Sequence, residues 1–193
     1  MSTEPEGQNQ GQEAQEQDER YAKFPGDDEE AEQDAVRTRP ESPEGFETIQ
    51  WRVAKSLEKL RAKVNAIAPG RNKDSDGGIG DASHAARNSD HNPWVDFDGV
   101  RGVVTARDFT HDPAGGCNAG VLAEQFRAGR DPRIKYIIWN RQIANSSSIG
   151  GAEPWAWRPY GGANPHNHHV HISVKSDRGN YDSEADWNIQ RLT

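Results

Sequence analysis

The sequence holds a single cysteine, Cys117, among 193 residues. A lone thiol excludes an internal disulfide and a cysteine-rich zinc knuckle. Long apolar runs are missing as well, and nothing approaches the ~18 consecutive apolar residues of a membrane span. The amino terminus has neither the basic start nor the apolar stretch of a secretory leader, so none is expected. Histidine is absent from the first quarter of the chain, and all seven histidines lie from His84 to His171. Basic residues are scarce in that quarter too. Residues 1–50 carry 15 acidic side chains against 4 basic ones, a balance of -11 within a total of -8, which leaves the remainder weakly basic at +3. Only 10 of these 50 residues are apolar or aromatic. Stretches such as EPEGQNQGQEAQEQDE and GDDEEAEQD cannot bury enough apolar surface to offset the entropy of ordering. A disordered acidic arm over residues 1–48 and one folded domain over 49–193 are therefore expected.

From Trp51 onward the chain becomes periodic. Val53, Leu57, Leu60, Val64 and Ile67 recur at spacings of three and four, one face of an amphipathic helix, and Ala68-Pro69-Gly70 ends it. Gly102 to Asp108 reads as a short buried strand whose carboxyl end carries the aspartate, and WVDFDGVRG before it as a hairpin or loop. Ala119 to Arg127 reads as a helix started by Asn118. Lys135 to Trp139 is rich in β-formers. Ala144 to Asn164, with PWAWRPYGG, reads as a long loop, and His169 to Val174 as a strand. The pattern predicts an α+β domain, a small antiparallel sheet with flanking helices.

On that last strand His169 and His171 are two positions apart, so their imidazoles share a side, while His168 faces the other way. Such a pair can engage one metal ion, or one metal and a reacting water; an ordinary hydrogen-bonded strand pair has the same spacing. Ser89-Asp90-His91 before the Asn92-Pro93 turn, and Asp108 after VVTA, supply a second imidazole source and a carboxylate. Two histidines and an aspartate with an open fourth position have the composition of a catalytic zinc site, and the ligand types also admit manganese or iron. A charge at the edge of a buried strand needs a partner, either a cation of the protein or a metal.

Ser89-x-His91, Ala106-x-Asp108 and His169-x-His171 together resemble the S-x-H, A-x-D and H-x-H motifs of the LAS-type zinc peptidases. These comprise lysostaphin-like enzymes, D-alanyl-D-alanine peptidases and the hedgehog signalling domain. SDHNPW and NPHNHHVHISV look like phage-encoded members that act on actinobacterial walls. The likeness spans Trp51 to Val174. It departs from the family pattern in the 16 residues that separate His91 from Asp108, and in the lack of a Glu-x-x-His before the last ligand.

The resemblance implies a hedgehog/DD-peptidase-like fold and one Zn2+ per chain, held by His91, Asp108 and His171. His169 would orient or deprotonate the water, or stabilise the oxyanion, and Arg87 would bind a substrate carbonyl or carboxylate. Ser89, His166, Trp157 and Tyr160 are the substrate-binding candidates; the plain alternatives are a turn serine for Ser89 and core-completing aromatics for Trp157 and Tyr160, while His166 would either line the cleft or support a ligand from behind, or do neither. His84 and His111 would either hydrogen-bond to the ligands from behind or be plain surface residues. The implied activity is a metallopeptidase cleaving peptide stems or cross-links of bacterial peptidoglycan. It would be a monomeric phage lysin made in the host cytoplasm, or a virion-borne enzyme. The alternative is a non-catalytic wall or metal-binding module with a structural zinc. Nucleic acid and membrane are not expected as partners, because no basic patch with interleaved aromatics occurs and the arm would repel phosphates.

Overall fold

The structure is a computed structural model that describes residues 50–80, 89–97 and 101–193. The acidic arm drawn at 1–48 lies outside the described residues, as do His84 and Arg87.

A short strand β1 (Trp51–Val53) leads into helix α1 (Lys55–Ile67). Leu57, Leu60 and Val64 form its inner stripe and are fully buried, each contributing roughly 1.5–3 kcal/mol through burial. Pro69 stops the helix by forcing Ala68 out of the helical region, to φ -126° and ψ 72°. Strands β2 (Val95–Phe97) and β3 (Arg101–Val104) pair antiparallel, and β1 adds to β3 in parallel, giving a three-stranded sheet in the order β1-β3-β2. The WVDFDGVRG stretch thus contributes two paired strands.

The second sheet carries the candidate site. It contains β4 (Ala106–Thr110), β5 (Ile134–Trp139), β6 (Gln142–Asn145), β7 (Arg158–Pro159) and β8 (His169–Val174). Their order is β4-β8-β5-β6-β7, antiparallel throughout. Helix α2 (Ala119–Gly129) covers one face, with Leu122, Ala123 and Phe126 packed inward. The Asn118 side chain accepts the Gly120 and Val121 N–H groups and so caps its start. Val170, Ile172 and Val174 of β8 point into this helix-side core. A single turn, α3 (Arg178–Tyr181), and the segment after it close that side. Trp187, Ile189 and Leu192 are buried there, and the Trp187 indole N–H donates to the Ser56 carbonyl at 2.7 Å.

Two sequence expectations are corrected here. The strand read as Gly102 to Asp108 is two strands in two sheets. Thr105 separates them: its N–H donates to the Asp90 carbonyl at 3.0 Å and its carbonyl accepts the Val174 N–H at 2.9 Å. Asp108 consequently lies in the middle of β4 and not at a strand end. The segment read as one loop from Ala144 to Asn164 begins in β6 and contains β7, two short strands, the second at the sheet edge, whose few residues show no period. The α+β class and the antiparallel sheet agree with expectation.

Candidate metal centre

Register brings the first two side chains together. Asp108 on β4 lies directly opposite His171 on β8, and directly opposed residues of an antiparallel pair project to the same face. That face is the one away from α2. His91 arrives from a turn: the Asn92 N–H donates to the Ser89 carbonyl at 2.8 Å and the His91 N–H to Ser89 Oγ at 3.3 Å. Buried Asp90 anchors the same turn through Lys135, whose Nζ is 3.3 Å from both carboxylate oxygens.

The three donor atoms form a small triangle. His91 Nε2 is 3.1 Å from His171 Nδ1 and 3.3 Å from Asp108 Oδ1, and His171 Nδ1 is 3.1 Å from Asp108 Oδ1. Zinc–nitrogen bonds of about 2.0–2.1 Å in a tetrahedron separate neighbouring ligands by about 3.3–3.4 Å, so the triangle has the size of one tetrahedral face. The outer nitrogens are engaged. His91 Nδ1 lies 2.5 Å from the Gly78 carbonyl. A carbonyl only accepts, so Nδ1 carries the proton and Nε2 keeps its lone pair. His171 Nε2 is 3.0 Å from the Ser173 hydroxyl, leaving Nδ1 to face inward. Two imidazole lone pairs and a carboxylate oxygen therefore converge, a donor set suited to a cation. Their atoms all lie within 4.8 Å of one another, and among the described residues no other group of His, Cys, Asp or Glu does so.

Electrostatics favour the same use. Burial alone would raise the Asp108 pKa, but His91 and His171 hold it well below the usual carboxylate range, so Asp108 is ionised. Burial pushes His171 down despite the carboxylate beside it, keeping the ring neutral. For His91 burial is outweighed by Asp108 and the Gly78 carbonyl, and its pKa is raised. As pH falls, a second proton therefore competes with a cation for the Nε2 lone pair.

His169 lies next to the triangle. Among the described residues its buried Nε2 has no hydrogen-bond partner, and it lies 3.7 Å from Asp108 Oδ2. His166 closes the cluster, with ring centroids 5.0 Å from His169 and 5.4 Å from His171. Its backbone is left-handed at φ 49°, and its Nδ1 lies 2.9 Å from the Asn164 carbonyl, which accepts. Burial and the neighbouring His171 lower its pKa to about 3. Tyr160 packs on Tyr136, Ile138 and Ile143 on the same face, 5.4 Å from the His166 ring.

The remaining sequence candidates fall elsewhere. Ser89 holds the His91 turn. Trp157 packs against the helix-side core, its indole N–H 3.3 Å from Glu124 Oε2 on α2, so it does not reach the histidines. The cause is strand alternation: Arg158 pairs with Ile143, and its chain neighbour points to the opposite face. His111 accepts the Ala119 N–H at the start of α2, and exposed His168 accepts the His111 N–H through its carbonyl. Sequence reading missed the Gly78 carbonyl and the Asp90–Lys135 pair, and it put Ser173 on the histidine face without giving it a role. The place of Ser173, two residues beyond His171, follows from strand alternation. The other two depend on long-range folding.

Compared with family models, curated proteins and solved structures, the chain matches none.

Proposed function

We propose that this chain is a zinc-dependent hydrolase that cleaves peptide bonds of bacterial peptidoglycan, on a fold of the hedgehog/DD-peptidase kind. The observation that carries the reading is the convergence of three cation-seeking donors, two of them imidazoles whose outer nitrogens are already hydrogen-bonded. The substrate class rests on the resemblance of the three motifs to LAS-type peptidases. His91, Asp108 and His171 would hold the ion. When bound, it supplies Lewis acidity and a water of lowered pKa. Three protein donors leave a coordination position for that water, whereas a structural zinc is closed by four.

With the ion bound, His169 would act as general base and then general acid through Nε2, the atom 3.7 Å from Asp108 Oδ2, holding the proton that the leaving amine receives. Asp108 Oδ2 faces the resulting imidazolium and stabilises it. His166 and Tyr160 flank the cluster and bound the place a substrate chain occupies. A phage lysin or virion-borne enzyme, acting as a monomer, fits this reading. The alternative of a non-catalytic zinc module is separated by activity.

The test is a peptidoglycan zymogram with metal analysis. Purified protein should contain about one zinc per chain and clear the wall, and chelator should abolish clearing. Asp108→Ala should lose both metal and activity, and full lytic activity in that variant would refute the site. His169→Ala should keep its zinc and lose roughly 10²–10⁴-fold in kcat. A wild-type protein that holds zinc yet releases no wall peptides is the non-catalytic module.

A further inference from the structure

Arg71 and Asp76 have no part in the chemistry just described, yet they form the most enclosed ion pair near it. The Arg71 side chain is fully buried and grips Asp76 at two points, 2.7 and 2.5 Å. Arg71 Nε also donates to Asn65 Oδ1 at 3.0 Å, and Asp76 Oδ1 accepts both the N–H and the hydroxyl of Thr110 at 2.9 Å. These contacts pin the segment to the end of β4. Immediately beyond the pin, the Gly77 carbonyl accepts the Asp108 N–H at 2.9 Å and the Gly78 carbonyl accepts His91 Nδ1–H at 2.5 Å. The Gly80 N–H then donates to the His91 carbonyl at 2.9 Å. One ten-residue stretch thus grips two of the three donor residues, Asp108 through its backbone and His91 through both ring and backbone.

Gly77 makes the approach possible. A Cβ built on it would stand 2.8 Å from Asp108 Oδ2, so the carboxylate that carries the donor Oδ1 would have to shift. Buried ion pairs contribute little net stability compared with apolar packing, and their best-attested use is to fix one geometry. Groups behind the ligands hold ring orientation and tautomer.

We propose that residues 71–80 form a brace that positions His91 and Asp108 for the metal, with Arg71, Asp76 and Gly77 as positioning residues that set metal affinity. This rests on the metal reading above. The brace touches the ligands from outside: Arg71 and Asp76 fix where the chain passes, Gly78 selects the His91 tautomer, and Gly77 leaves room for the carboxylate.

The test is zinc affinity of the full chain, by competition with a chromophoric chelator, alongside the thermal midpoint of the metal-free protein and the ring ¹⁵N signals of His91. Gly77→Ala and Asp76→Asn should each weaken zinc by about 10- to 100-fold. Gly70→Ala should bind as wild type, because its Cβ meets nothing within 4 Å. In metal-free Asp76→Asn the His91 signals should shift from the Nδ1-protonated form to a tautomer mixture, a change that a general loss of stability does not cause. If Asp76→Asn does not fold, Gly77→Ala decides alone, since it leaves the ion pair intact. Wild-type affinity in folded Gly77→Ala overturns the brace while the metal reading stands. A wild-type protein that takes up no zinc overturns both.

Discussion

His166 combines a left-handed backbone, a buried ring and a pKa lowered to about 3. Its folded pKa lies below the unfolded value near 6.5, so between these two values the unfolded chain binds a proton that the folded one refuses. Stability therefore falls as pH drops from 6.5, by about 1.4 kcal/mol per pH unit for this residue. His166→Gln removes that dependence. Urea unfolding of the chelator-treated protein at pH 7, 6, 5 and 4 should give a flatter profile for the variant by that slope, and parallel profiles would show that the ring is not held neutral. The neighbouring residue-scale contrast is between His171 and His169. Both stand on one face of β8, yet only His171 meets Asp108 Oδ1, at 3.1 Å, because it lies directly opposite that residue in the register.

At the scale of elements, β8 does two jobs with alternate residues. His169, His171 and Ser173 build the site, while Val170, Ile172 and Val174 are fully buried against the helices. Ile172→Ala should therefore cost roughly 2–5 kcal/mol, measured by urea unfolding of the metal-free protein, and yet keep one zinc per chain under native conditions. Loss of zinc from the still-folded variant would mean that the two faces are coupled through the strand. The break at Thr105 is equally consequential. It ends one sheet and starts another, and it places the turn that bears His91 beside the edge of β4.

The whole molecule separates a helix-side core from a site face. The final segment, with buried Trp187 and Leu192, completes the helix side, and residues 71–80 brace the site face. Both faces are built from described residues that begin at 50, and the acidic first quarter before them has a charge balance of -11 against the +3 of the rest. Removing residues 1–46 should leave the thermal midpoint and the zinc content unchanged. A lowered midpoint, read by calorimetry on the shortened chain, would mean that the boundary drawn from charge is misplaced.

Period and spacing by themselves determined much of this. Apolar residues three and four apart specify α1 and α2 because a helix repeats every 3.6 residues, and alternation over His169–Val174 places two imidazoles on one side because a strand repeats every two. The residue types supplied a candidate pool of two strand imidazoles, a turn imidazole and a carboxylate, and the likeness to a peptidase family, not the spacing, singled out His91, Asp108 and His171 from it. Only the tertiary structure decided what depends on register and chain crossing. Asp108 reaches His171 because β4 pairs with β8 across 63 positions of sequence. Trp157 leaves the site because β7 pairs with β6 and turns it to the other face. The Gly78 carbonyl finds His91, 13 positions away, through an ion pair and a glycine that carry no periodic signal. Local periodicity reports which face a residue takes. Which faces meet is set by packing between segments far apart in the chain.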